Sequence, residues 1–218
     1  MKSRYKGVFF DLDGTILDTV GQLAHSLNEA RKAAGLEPQE KDLIRSKVGN
    51  GVRRLVEWSI EDDDADIEEI MTNYRSYYNA HCCDNTYPYD GIGELLKTLK
   101  DSGVKLFVVT NKSDGPAVRI CEHFYPGLFD KVKGHRDLCP HKPDPMLVNE
   151  ILDEFEMKPS ECCLVGDSDV DIMTAGNAGL RAVSVTWGYK SEGFLVQNGA
   201  INIVKDADEL LKILTEDG

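Results

Sequence analysis

A parallel α/β sheet with helices on both faces, interrupted by a small all-helical insert, is the fold this 218-residue sequence predicts. Three observations carry the prediction. Short apolar runs recur along the chain, and each ends in polar residues capable of chemistry. Amphipathic helical patterns separate those runs, as buried parallel strands require. One stretch, residues 18–85, breaks the alternation and shows helical periodicity with no convincing strand.

The first run is Val8-Phe9-Phe10, followed directly by Asp11-Leu12-Asp13-Gly14-Thr15. Read as a buried strand, it delivers two carboxylates to its C-terminal end, where open α/β sheets hold their ligands. Strand alternation points Asp11 and Asp13 the same way. Two like charges so close cost about 4 kcal/mol at an effective dielectric near 20, so a cation or a shared proton is expected between them. Gly14 permits a sharp turn or a close approach.

The insert then offers Leu23, Leu27 and Ala30; Leu43 and Ile44; Val52, Leu55 and Val56; and Ile67, Ile70, Met71 and Tyr74 as successive inner faces. The acidic run Glu61-Asp62-Asp63-Asp64-Ala65-Asp66 reads as a solvated connection, since it lacks the glycine and final glutamate of a calcium loop. The turn-rich string Asp84-Asn85-Thr86-Tyr87-Pro88-Tyr89-Asp90-Gly91 marks the return to the sheet. A helical module placed just after the paired aspartates suits a lid that excludes water.

Three more runs follow. Leu106-Phe107-Val108-Val109 leads to Thr110 and Asn111, Cys163-Leu164-Val165-Gly166 to Asp167 and Ser168, and Ala182-Val183-Ser184-Val185 to Thr186-Trp187-Gly188. Between them, helices are expected over 91–102, from Ser113 through Cys121, over 143–155 with Met146, Leu147, Ile151 and Leu152 inward, and over 206–214. Asp167 and Asp171 fall one helical turn apart if a helix begins there. The prolines after Lys142 pre-set a turn that would hold this lysine in place.

Composition narrows the function. A net charge of −13 argues against nucleic acid and anionic membranes as partners, while a bound metal could still reverse the field for a small anion. No stretch is long and apolar enough to span a bilayer or to act as a signal peptide. The six cysteines include the adjacent pairs Cys82-Cys83 and Cys162-Cys163, which match neither zinc spacing nor a secreted disulfide framework. Reduced thiols and a cytoplasmic location are therefore expected. His25, His81 and His141 have no metal-ligand spacing and read as surface or loop residues.

Four motifs now stand in order: Asp11-x-Asp13-Gly14-Thr15, Thr110-Asn111, Lys142-Pro143 and Gly166-Asp167-Ser168-x-x-Asp171. Together they resemble the haloacid dehalogenase superfamily over essentially the whole chain. The resemblance implies a Rossmann-like core domain at 1–17 and 86–218 with a small α-helical cap domain at 18–85. It implies Asp11 as the nucleophile toward phosphorus, Asp13 as acid then base, and Thr110 and Lys142 as holders of the phosphoryl oxygens, aided by backbone amides near Leu12 and Asn111. Mg²⁺ would be bound by Asp11, the backbone carbonyl of Asp13, and Asp167, with Asp171 and Ser168 in support.

Within the superfamily, Val48-Gly49-Asn50-Gly51-Val52-Arg53-Arg54, Tyr87-Pro88-Tyr89-Asp90-Gly91 and Thr186-Trp187-Gly188-Tyr189 resemble stretches of phosphoglycolate phosphatases. That likeness implies substrate contacts from Gly49, Asn50, Gly51 and Asn111, and Arg53 as the cation for a substrate carboxylate. Tyr87 and Trp187 read as packing residues. The implied activity is Mg²⁺-dependent hydrolysis of a small phosphomonoester, with 2-phosphoglycolate the best fit, by a monomer or homodimer. The same core aspartates would also serve a sugar-phosphate mutase like beta-phosphoglucomutase, or a pyrophosphatase or nucleotidase. Thr15, where such mutases usually carry valine, tilts against the mutase. A dehalogenase would not need Asp13, and a binding protein that had lost catalysis would lack one of the core aspartates.

Overall fold

The computed structural model describes residues 2–61 and 65–216. Six strands form one sheet: β1 (Gly7–Phe10), β2 (Lys105–Ser113), β3 (Lys131–His135), β4 (Cys162–Gly166), β5 (Arg181–Val185) and β6 (Ile203–Val204). Their order is β3-β2-β1-β4-β5-β6, and every neighbouring pair is parallel. The chain therefore reverses its direction of growth beside β1, and ligands gather at the carboxyl ends of strands next to such a switch point.

The helices are α1 (Val20–Ala33), α2 (Lys41–Lys47), α3 (Val52–Ser59), α4 (Ile67–His81), α5 (Ile92–Asp101), α6 (Asp114–Phe124), α7 (Met146–Glu154), α8 (Asp169–Ala178), α9 (Glu192–Gln197) and α10 (Ala207–Leu214). Strand alternation sorts the apolar runs between two faces. Phe9, Phe107, Val109 and Leu164 pack with Leu147, Val148 and Ile151 of α7 and Ala175 of α8. Val8, Phe10, Leu106, Val108, Cys163 and Val165 join Leu96 and Leu99 of α5, Ile120 of α6 and Leu210 of α10. Both faces are buried, so the central strands read as continuous apolar runs.

The four helices of residues 18–85 form as the periodicity predicts, with Leu27, Ile44, Val56, Ile70 and Met71 essentially inaccessible. Two expected inner residues turn outward instead: Leu43 is 46% exposed and Met146 is 42% exposed. Of the acidic run, Asp66 accepts the Glu68 amide at 2.9 Å and caps α4. Asp62, Asp63 and Asp64 lie outside the described residues. The chain enters and leaves the insert side by side, because Leu17–Asp18 pairs antiparallel with Tyr87–Pro88. Tyr87 itself is 62% exposed, so the expected packing role is wrong: its ribbon edge faces solvent.

Candidate active site

The polar residues that follow β1 and β4 meet those in the C-terminal part of β2 at one end of the sheet. The Asp11 amide donates to Val165 O at 2.9 Å, which continues the ladder by one residue. The chain then turns on the Leu12 carbonyl, which accepts the amides of Ile16 and Leu17, both at 3.2 Å. Gly14 takes φ of 84° there, and a Cβ on it would lie 2.5 Å from Asp167 Oδ2. Only glycine fits both demands. In β2 the register with β3 shifts between Val109 and Ser113, a bulge that re-aims Thr110, Asn111 and Lys112. After β4, Ser168 caps α8: its amide and hydroxyl donate to Asp171 Oδ2 at 3.2 and 2.6 Å.

Lys142 joins these segments. Its Nζ donates to Asp171 Oδ1 at 2.7 Å and stands 3.0 Å from Asp11 Oδ1, with only 2% of the side chain exposed. The Asn111 side chain fixes the lysine backbone, accepting the Lys142 amide at 2.7 Å and donating to its carbonyl at 3.2 Å. The same amide group donates to Gly49 O at 3.0 Å, linking sheet to insert. The Asn111 side chain is thus spent on positioning.

Three buried carboxylates face one lysine, and the electrostatics record the imbalance. Burial, then the charge of Asp171 and of Asp11, pushes Asp167 up to about 8, against hydrogen bonds from the Tyr189 amide and Thr15. Asp11 is pushed up to about 6, again chiefly by burial, with Lys142 opposing. Burial alone would lower Lys142, but Asp11 and Asp171 outweigh it and hold the lysine above its ordinary range. Asp11 Oδ1 is buried and has no hydrogen-bond partner among the described residues. Lys142 approaches this oxygen closely enough for charge attraction.

One carboxylate oxygen from each of Asp11, Asp167 and Asp171 lies within 4.8 Å of the other two. An all-oxygen set with excess negative charge fits a hard dication, the ion the motifs imply. Asp11 and Asp167 could both ligate it. Asp171 is already engaged by Lys142 and Ser168, which suits a supporting role. The Asp13 carboxylate stands apart from the cluster: its Oδ1 accepts Thr19 Oγ1 at 2.5 Å and Lys112 Nζ at 2.7 Å.

A cavity of about 70 Å³ opens between this floor and the insert, lined by Asp11, Asp13, Thr110, Asn111, Gly49 and Gly51, with Leu55, Tyr74 and Tyr78 among its walls. Gly49 and Gly51 take φ of 123° and 82°, as the two-glycine string suggests. Asn50 and Arg53 do not reach this cavity; they border a separate open cleft with His141. Arg53 instead pairs with Glu57 at 3.2 Å and Glu68 at 2.9 Å, both on the exposed side of the insert. Its expected place beside a substrate carboxylate is not the one it occupies, because acids one turn away and on α4 hold it outside.

Two residues, Lys112 on the cavity wall and Tyr189 beside Asp167, make contacts that sequence reasoning missed. Lys112 is buried, directly after Thr110-Asn111, and pairs with Asp13. Its signal was a lysine at the end of an otherwise apolar strand. Tyr189 donates its amide to Asp167 Oδ2 at 2.6 Å, while its hydroxyl accepts the Thr19 amide at 2.9 Å. From the insert, Arg45 donates to Gly188 O at 2.8 Å and lies over the Tyr189 ring. Trp187 is tied in by a bond from Nε1 to Thr15 O at 3.0 Å.

Comparison with known proteins decides the family. Residues 8–185 match the model of the haloacid dehalogenase-like hydrolases. The chain belongs to that family. It is 32% identical to a phosphoglycolate phosphatase of Chromobacterium violaceum over 95% of this chain and 96% of the relative. It is 31% identical to an N-acetylmuramic acid 6-phosphate phosphatase of Pseudomonas aeruginosa, covering 98% and 96%. Among solved structures, a predicted phosphoglycolate phosphatase from Haemophilus somnus superposes with a TM-score of 0.89 at 30% identity, covering 97% of this chain and 98% of that one. This haloacid dehalogenase-like chain is thus a hydrolase resembling phosphomonoesterases along its full length. No helix among its described residues is long and apolar enough to cross a membrane, and all six cysteines are free.

Proposed function

We propose that the protein is a Mg²⁺-dependent phosphomonoesterase acting on a small anionic metabolite, with 2-phosphoglycolate as its substrate, through a phosphoryl group carried on Asp11. The observation that carries this reading is the convergence of Asp11, Asp167, Asp171 and Lys142 at the mouths of adjacent parallel strands. Relatives named phosphoglycolate phosphatase at about 30% identity support the substrate.

Asp11 attacks phosphorus, and the departing ester oxygen takes a proton from Asp13. Water then attacks the phosphoryl group on Asp11, giving its proton to Asp13 and releasing phosphate. Lys142 and Thr110 hold the phosphoryl oxygens where charge develops. Asp11, Asp167 and the Asp13 carbonyl would hold the Mg²⁺ ion, which when bound offsets the repulsion between a carboxylate nucleophile and a phosphate dianion. Residues 18–85 act as a cap domain over the core, and their apolar wall excludes water from the phosphoryl group. The free cysteines fit a cytoplasmic setting.

The test is phosphate release from a panel of phosphomonoesters, including 2-phosphoglycolate and N-acetylmuramic acid 6-phosphate, with and without Mg²⁺. Wild type is expected to prefer 2-phosphoglycolate and to need the metal, and Asp11→Asn to lose at least a thousandfold in kcat. Equal rates for wild type and Asp11→Asn would overturn the nucleophile, and isomerised product without phosphate release would indicate a mutase.

A further inference from the structure

The cavity is lined by a buried cation that the phosphoryl chemistry does not use. Lys112 Nζ has three donors. Among the described residues it has one hydrogen-bond acceptor, Asp13 Oδ1, which Thr19 shares. Its side chain is 5% exposed, so water cannot freely satisfy the rest. Beside it, the ring of Tyr78 lies 5.0 Å from Nζ. The Tyr78 hydroxyl is buried with no partner among the described residues, and burial followed by the charge of Asp13 keeps this phenol protonated. An ammonium and a phenol, both with donors to spare, line the same small cavity as Asp11. Buried donors left open are costly unless a ligand or ordered water takes them.

We propose that Lys112, assisted by the Tyr78 hydroxyl, is the specificity determinant of this site, and that it binds a carboxylate carried on the ester carbon of the substrate. The proposal rests on reading the cavity as a phosphomonoesterase site. The remaining cations are placed for other tasks. Lys142 is held between Asp11 and Asp171. Arg53 is paired with Glu57 and Glu68 outside the cavity. Arg75 lines the rim but is exposed, and a solvated guanidinium discriminates less than a desolvated ammonium.

The test compares kcat/KM for two esters of matched size: 2-phosphoglycolate, and 2-hydroxyethyl phosphate, which carries a hydroxymethyl in place of the carboxylate. The readout is their ratio, because a residue that only positions Asp13 slows both esters alike and leaves the ratio alone. Wild type is expected to favour the carboxylate by tenfold or more. Lys112→Gln should reduce the ratio on the order of tenfold to a hundredfold, the worth of one charge-assisted hydrogen bond. Tyr78→Phe, which removes only an unpartnered hydroxyl and keeps the packing, should reduce it by about threefold to tenfold. This second variant decides the matter if Lys112→Gln fails to fold. A ratio unchanged in Tyr78→Phe and in folded Lys112→Gln overturns the proposal, as does a ratio lost in Arg75→Gln but kept in Lys112→Gln. A wild type that cleaves both esters with a ratio near one overturns it while leaving the phosphatase reading intact. A wild type that cleaves neither ester overturns the proposal, and it overturns the phosphatase reading as well only if no other phosphomonoester of the panel releases phosphate.

Discussion

Lowering the pH is expected to release Mg²⁺ from the carboxylate cluster well before the fold is lost. Asp167 is pushed up to about 8, by burial first and then by Asp171 and Asp11. Asp11 follows at about 6, also mainly through burial. A dication takes the ionised forms, so each bound proton must be displaced. At about pH 6 a carboxyl with its midpoint near 8 is ionised in roughly one molecule in a hundred, which weakens metal binding by about a hundredfold, or about 2.7 kcal/mol, relative to pH above 8. Stability of the metal-free protein runs in the matching direction. A carboxyl raised above its ordinary 3.8 costs nothing while both states are protonated, and the cost grows until the pH passes the folded value near 8. Metal-free protein should therefore lose stability from about pH 4 to about pH 8, and Mg²⁺ should restore more of it at the alkaline end. Calorimetric titration with Mg²⁺ at about pH 6 and about pH 8.5, beside thermal melts with and without the ion, reads both quantities. An affinity that changes by less than about threefold, or that rises as the pH falls, would refute the reasoning.

Two substitutions test the packing around that cluster. A Cβ on Gly188 would lie 2.3 Å from Asp167 Cβ and 2.4 Å from the Gly14 carbonyl, so Gly188→Ala must displace backbone as well as side chain. It should cost about 1–3 kcal/mol, roughly 2–12 °C in Tm, and weaken Mg²⁺ binding about tenfold or more; a melt and a Mg²⁺ titration matching wild type would disprove the close approach. Lys142→Met removes the cation from between Asp11 and Asp171, leaving buried acids without a counter-charge. The metal-free variant should lose about 3–5 kcal/mol, on the order of 6–20 °C, with the deficit shrinking at acid pH; a Tm within about 2 °C of wild type would contradict the account.

How much could be read from the sequence follows from burial. β1, β2, β4 and β5 were legible because buried parallel strands have no polar face to disguise the run. β3, with the sequence Lys131-Val132-Lys133-Gly134-His135, escaped because it is an edge strand whose two lysines, paired with Glu154 and Glu150, break up any apolar run. β6 is only two residues long, too short for any pattern to register. Asp11, Lys142, Asp167 and Asp171 come together, and Thr110 lines the cavity beside them, because apolar runs and prolines mark in the sequence where each segment ends. Lys112 and Arg53 exchanged apparent importance for a reason that periodicity cannot capture. Backbone pattern says which element bears a cation, but tertiary partners say where the charge goes. Arg53 had a readable warning in Glu57, one helical turn on. Lys112 had only its place in a buried strand, and the pairing of Tyr189 with Asp167 needed the loop after β5 to fold back across the site.

The central claim is that Asp11 accepts the phosphoryl group. Acid quenching of wild type during turnover of 2-phosphoglycolate with Mg²⁺, followed by mass spectrometry of the digested protein, should find one phosphoryl group on the peptide containing Asp11 and none in Asp11→Asn. A phosphoryl group on another residue, or turnover with no phosphorylated peptide in quenches fast enough to capture a single cycle, would contradict the account.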